Sequence, residues 1–260
     1  MAYAKINSIT NANMAKVNNS AKAALGKIGS IDAPSASFAN TKSINFDGVD
    51  DRIVCGTAGY DQCSLQFWLK ITDAAYNMVF GKENDNSWYI AVSGGKLYMS
   101  IQMFGSAAST TAFNDGNWHQ LVVTMEGSSG ASCSVKVYLD GSLDKTHTGS
   151  NTYTNTTDED IIIGGWTAAL PLSFTGNIDE VAVWDEVVLD AAAITQLYNS
   201  GEPIDLKTDS GNYDNASDLT SWWRMGDGDT FPTIQDNQGS NNGTMTNMVS
   251  GDIESDVASA

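Results

Sequence analysis

A chain of 260 residues with 42% hydrophobic and 17% charged side chains can bury a core without staples, and it is too apolar for a disordered acidic tail. A formal net charge of −18 argues against nucleic acid and anionic membrane as partners, since neutralising phosphate needs clustered cations. Three cysteines (Cys55, Cys63, Cys133) and two histidines (His119, His147) leave no zinc-like spacing. Buried thiols are expected, with a Cys55–Cys63 bridge as the alternative.

The charge is unevenly placed. Residues 1–31 hold four lysines and no acid, while the rest holds nine basic residues and all 31 acids. This basic opening repeats with an eleven-residue period: Lys5, Lys16 and Lys27 are each followed by an aliphatic residue, Ile6, Val17 and Ile28. The period fits three helical turns. Asn7, Asn11, Asn13, Asn18, Asn19 and Gly26 oppose a helix that is stable alone. The segment therefore reads as a docking arm, extended or helical, ordered by contact, with Lys5, Ile6, Lys16, Val17, Lys27 and Ile28 as its contacts. With the linker around Pro34 it occupies residues 1–42. The opening lacks the unbroken apolar core of a signal peptide, and no stretch reaches the ~20 apolar residues of a membrane span. Cytoplasmic synthesis and no membrane insertion are expected.

From Ser43 the hydrophobic period becomes two. "SINFDGVDDRIVC" predicts two short strands around Asp47-Gly48, and "SLQFWLKI" sets Leu65, Phe67 and Leu69 on one face. "WYIAVSGGKLYMSI" predicts a hairpin at Gly94-Gly95. "NWHQLVVTME" and "SVKVYLDG" alternate in the same way. In "NIDEVAVWD", Ile178 and Val181 have opposite parity, which a bulge near Asp179–Glu180 would reconcile. One helix is predicted, capped by Asp190, with Ile194, Leu197 and Tyr198 on one face and Gly201 as the stop. Short strands at this spacing predict two packed antiparallel sheets.

"INFDGVDDRI", "GNWHQLVVTM", "VKVYLDG" and "FTGNIDEVAVWDEVVLDAAAITQLYNSG", in this order from Ser43 to Gly201, resemble the laminin-G-like, concanavalin A-like jelly-roll family. The resemblance implies an all-β sandwich over residues 43–260. In many such domains a block like "WWRMGDGDTFPTIQDNQGSNNGTMTNM" precedes the first strand; here it comes last, at Trp222–Met248. Strands at about 219–250 are therefore expected to complete the same sandwich, because some forty residues alone bury too little. The basic arm ahead of this body resembles structural proteins of marine tailed bacteriophages, cyanophages in particular. That resemblance implies a virion surface component, assembled in the host cytoplasm and docked through its arm on capsid, neck or tail proteins, as an oligomer such as a trimer.

The sandwich also serves glucanases, whose strand signature places paired carboxylates on one face. Here Asn177 stands at the nucleophile position and Val181 or Ala182 at the last acid, so no enzyme is expected. Carbohydrate binding is the alternative to the structural role. Trp88, Tyr98, Tyr153 and Trp166 are the candidates for stacking on a surface glycan of a host. No cofactor other than calcium is considered, with Asp47, Asp50, Asp51, Asp227, Asp229 and Asp236 as candidate ligands.

Overall fold

The computed structural model describes residues 38–57, 62–82, 88–101, 107–127, 134–148, 159–166 and 172–259. The docking-arm residues Lys5, Ile6, Lys16, Val17, Lys27 and Ile28 lie outside them, as do Cys133 and Tyr153. Asn40–Ala260 is one compact unit. Its strands are β1 (Ser43–Asp47), β2 (Arg52–Thr57), β3 (Cys63–Lys70), β4 (Asn77–Lys82), β5 (Trp88–Ser93), β6 (Lys96–Ile101), β7 (Ala107–Ala108) and β8 (Trp118–Glu126). These are followed by β9 (Ser134–Leu139), β10 (Ser142–Thr148), β11 (Asp160–Ile163), β12 (Thr175–Asp185), β13 (Ser221–Trp223), β14 (Thr233–Ile234), β15 (Gly243–Thr246) and β16 (Ile253–Glu254).

They form two antiparallel sheets. Sheet A runs β10-β9-β8-β3-β12-β1-β16, with β13 also on β12; sheet B runs β14-β15-β2-β11-β4-β5-β6-β7. The alternation predicted from sequence decides which side chains lie between them. Leu65, Phe67 and Leu69 of β3 and Leu121, Val123 and Met125 of β8 enter the core from sheet A. Ile53 and Cys55 of β2, Ile90 and Val92 of β5, and Leu97 and Met99 of β6 meet them from sheet B. Each fully buried large aliphatic or aromatic side chain contributes about 1.5–3 kcal/mol. Cys55 is a free thiol, and burial pushes its titration up. Cys63 is buried in the same core.

The parity break in β12 is a bulge: its pairing with β3 shifts register between Asp179 and Ala182. On its other edge β12 pairs first with β1, through Ile178, and then with β13, from Val181. Asp179 and Glu180 stand at that change of partner, and Glu180 takes a positive φ of 45°. The C-terminal segment enters both sheets, with β13 and β16 in sheet A and β14 and β15 in sheet B.

Helix α1 (Ala191–Tyr198) starts where predicted, with Asp190 Oδ1 accepting from the Ala193 amide at 2.7 Å. It stops before Gly201, because Asn199 already adopts the left-handed conformation, with φ 45°. Its buried residues Ala193, Ile194 and Leu197 cover the outer face of sheet A together with Leu206 and Tyr213 of the following segment. No described helix is long and apolar enough to cross a membrane.

Candidate functional site

Residues that alternate with the core set leave sheet B on its outer face. Met78 of β4, Ala91 of β5 and Trp166, just after β11, form a second apolar cluster there, with Tyr89 and Tyr98 packed against it. The strand registers explain the grouping. Met78 faces Ala91, Ala91 faces Tyr98, and Tyr89 faces Gly81, which places no side chain beside its ring. Tyr89 and Tyr98 are stacked at 6.2 Å with planes 24° apart. Trp166 meets Tyr89 edge-on at 5.5 Å. Tyr76 stands edge-on to Tyr98 at 5.7 Å and to Tyr89 at 6.4 Å.

The patch is half open. Trp166 is buried, Tyr89 and Tyr98 are intermediate, and Tyr76 is 36% exposed. Burial, then its hydrogen bond with Tyr89, raises the Tyr76 phenol, so it stays protonated at neutral pH. Rings fixed against one another, with phenol groups at the margin, give a surface that stacks on an apolar face and hydrogen-bonds at its rim.

Two of the residues named from sequence, Tyr98 and Trp166, meet in this patch. Trp88 opens β5, and its side chain lies outside those described. Tyr76 and Tyr89 were not singled out. For Tyr89 the signal was present: in "WYIAVS" Ile90 and Val92 face the core, so Tyr89 and Ala91 must face away.

A turn of acids leads into β2. Ligand oxygens of Asp47, Asp50 and Asp51 lie within 4.8 Å of one another. One oxygen of each is already engaged. Asp47 Oδ1 accepts from the Val49 amide at 2.7 Å, Asp51 Oδ2 from the Asp47 amide at 2.9 Å, and Asp50 Oδ2 from Asn247 Nδ2 at 3.0 Å. Burial raises the Asp51 carboxyl, and its acidic neighbours add to the shift. The turn needs Gly48, whose φ is 78° and where a Cβ would strike the Thr175 side chain. Gly165 links turn and patch: its Cα hydrogens face the Asp51 carbonyl and Arg52, and Trp166 follows it.

The other three acids named as ligands serve the chain itself. Asp236 accepts from the amides of Trp222, Gln238 and Gly239 through Oδ1 and of Asn241 through Oδ2. Asp229 accepts from the Gly226 and Gln235 amides. Asp227 receives the Thr41 amide and hydroxyl and pairs with Arg224 at 3.1 Å. Among the described residues, the convergent acid group contains only Asp47, Asp50 and Asp51.

The glucanase-signature positions are sealed. Asn177 donates to Ser43 Oγ and Glu254 Oε2, each at 3.2 Å. Asp179 is buried and accepts from Asn40 Nδ2 at 2.7 Å, the Ala258 amide at 3.3 Å and the Glu180 amide at 2.8 Å. Glu180, also buried, accepts from Trp222 Nε1 at 2.6 Å and Arg224 Nε at 3.2 Å. Burial raises both carboxyls, that of Glu180 to about 7 against the opposing pull of Arg224.

Residues 47–195 match the laminin-G-like model of the concanavalin A-like lectin/glucanases superfamily, over half of the chain. The chain belongs to this superfamily. Among solved structures, a candidate carbohydrate binding protein of Bacteroides ovatus is similar at TM-score 0.64 and 15% identity, over 86% of this chain and 62% of its own. The chain thus spans about three fifths of the length of that protein. A heptameric SAP-like pentraxin of Limulus polyphemus is similar at TM-score 0.50 and 16% identity, over 61% of this chain and 82% of its own. At such identities the likeness speaks for the fold. No curated protein matches the sequence.

Proposed function

We propose that the sandwich is a non-enzymatic carbohydrate-binding module that receives an oligosaccharide on the outer face of sheet B. The observation that supports this most is the half-open ring cluster of Tyr76, Tyr89, Tyr98 and Trp166, whose neighbouring ring centroids lie 5.5–6.4 Å apart. A pyranose presents an apolar face to a ring and hydroxyls to the polar rim, which is the chemistry this surface complements. Membership of a superfamily named for lectins and glucanases agrees with it. Against hydrolysis stands the burial of Asp179 and Glu180, which no sugar can reach. The test is calorimetric titration of the chain with a panel of oligosaccharides. Tyr98→Ala should lower affinity at least tenfold while the melting temperature stays within a few degrees. Unchanged affinity in a folded Tyr98→Ala protein would refute the platform.

The Asp47–Asp50–Asp51 turn favours a second element, a divalent cation. Three hard carboxylate donors within one small site fit calcium, which would offset their mutual repulsion. A calcium-dependent rise in melting temperature, absent in Asp50→Asn, is the expected result. The basic residues 1–31, opposite in sign to the acidic body, support a tether to a larger assembly. Neither the superfamily nor the two structures named above points to a virion as that assembly.

A further inference from the structure

We propose that Arg52 receives a carboxylate of the bound glycan, so that the preferred ligand is an oligosaccharide containing uronic acid. This rests on the carbohydrate-binding reading above and adds a specificity to it.

Arg52 opens β2. Ile53 and Cys55 enter the core, so the alternation sends Arg52 and Val54 out of sheet B on the face that bears Tyr89 and Tyr98. Its position beside the patch is fixed by a close approach. A Cβ at Gly165 would come within 2.7 Å of the Arg52 Cβ and 2.8 Å of the Asp51 carbonyl, and the next residue is Trp166. The close approach to Gly165 therefore sets Arg52 beside the residue that precedes Trp166, on the face of sheet B that bears the rings.

Its bonding differs from that of Arg224, the other arginine of the chain. Asp47, Asp50 and Asp51 are within five positions, yet among the described residues Arg52 forms no ion pair. The carboxylates of the turn are engaged with the Asp47 and Val49 amides and with Asn247 instead. The Arg52 Nε is buried and has no acceptor. Arg224 makes the contrast, being held by Glu180 and Asp227 together. In a chain with 31 acids and 13 basic residues, a guanidinium left without a carboxylate partner is matched to one that arrives from outside. A planar carboxylate suits the guanidinium fork better than a lone hydroxyl does. The acid turn next to it works against any small anion, so the carboxylate must be delivered on a sugar that the rings also hold.

The experiment uses the full chain and calorimetry with oligogalacturonate and oligoglucuronate tetrasaccharides and their carboxyl-reduced, neutral forms. Wild type should bind an acidic tetrasaccharide at least tenfold more tightly than its reduced form, and free galacturonate or glucuronate negligibly. R52Q, checked for an unchanged melting temperature, should bind both forms equally, at the level of the reduced one. Equal binding of both forms by wild type, or an acidic preference that survives R52Q, overturns the assignment. A preference abolished by chelator but kept in R52Q also overturns it, and places the carboxylate on a cation at the acid turn. The two readings fail separately. If Tyr98→Ala weakens binding of both forms and R52Q changes nothing, the platform stands and Arg52 is excluded. If no tetrasaccharide binds at all and a neutral panel is equally silent, both fall.

Discussion

On the outer face of sheet A the rings of Trp184, Tyr213 and Trp222 are buried and their polar atoms have partners. Trp184 Nε1 donates to the Tyr213 hydroxyl at 3.3 Å, and that hydroxyl donates to the Leu206 carbonyl at 2.8 Å. Trp222 Nε1 donates to Glu180, and the Arg224 guanidinium lies 5.3 Å over the Trp222 ring. On the outer face of sheet B, Tyr76, Tyr89 and Tyr98 keep part of their surface in water. Both faces are rich in aromatics, so ring content does not distinguish a binding surface from a second core. What distinguishes them is the cover. Helix α1 and residues 202–220 lie over sheet A, and the sequence of the second segment is polar enough to read as a linker. The covered face has to stay intact for the fold; the open face can be altered without loss of it.

That contrast breaks most sharply at Arg224. Arg224→Met leaves Glu180 buried without its cation and should cost about 3–5 kcal/mol in urea denaturation at pH 8. The loss should shrink at pH 5, because the Glu180 carboxyl, raised to about 7, is then protonated and carries no charge to strand. A loss independent of pH would mean that packing, not charge, holds this corner. Tyr213→Phe is the milder probe of the covered face. It strands the Leu206 carbonyl and Trp184 Nε1 and should cost about 1–3 kcal/mol, with glycan affinity unchanged.

His119 sharpens the picture from within sheet A. Its Nδ1 lies 2.8 Å from Asp140 and its Nε2 3.1 Å from Asp115, tying β8 to two turns. The hydrogen bond to Asp140, then that to Asp115, raises its titration against the opposing effect of burial, while Asp115 is lowered to about 2. A raised histidine contributes stability that is full below its unfolded value of about 6.5 and is lost as pH rises through the folded one. His119→Ala should therefore cost about 1 kcal/mol at pH 5.5 and less at pH 9, read from thermal melts at both. With Glu180 shifted in the same sense, stability should decline from mildly acidic toward alkaline pH. A melting temperature that climbs from pH 5 to pH 9 would contradict both assignments.

The sandwich was legible because period-two alternation needs no knowledge of partners: Leu65, Phe67 and Leu69 had to share a face whatever lay across from it. The β12 bulge was legible for the same reason, since Ile178 and Val181 cannot both face the core of a regular strand. Tyr98 and Trp166 could be named as aromatics near strand ends. Their convergence with Tyr76 and Tyr89 depends on strand order, which places β4, β5 and β6 side by side and sequence spacing does not. The acids divided for a similar reason. Asp236 and Asp47 both look like calcium ligands in a one-dimensional reading. Asp236 is consumed by four backbone amides of its own loop, a use that depends on the loop's path. Of the cover over sheet A, helix α1 was legible, while the segment after it was hidden because Leu206, Tyr213 and Leu219 follow no helical or strand period.

The most direct measurement is calorimetric binding of oligosaccharides to the wild type and to a Tyr89→Ala/Tyr98→Ala pair, with melting temperature recorded on the same samples. The account predicts measurable wild-type binding, abolished in the double variant, with the sandwich still folded. A double variant that folds and binds as wild type does would contradict it.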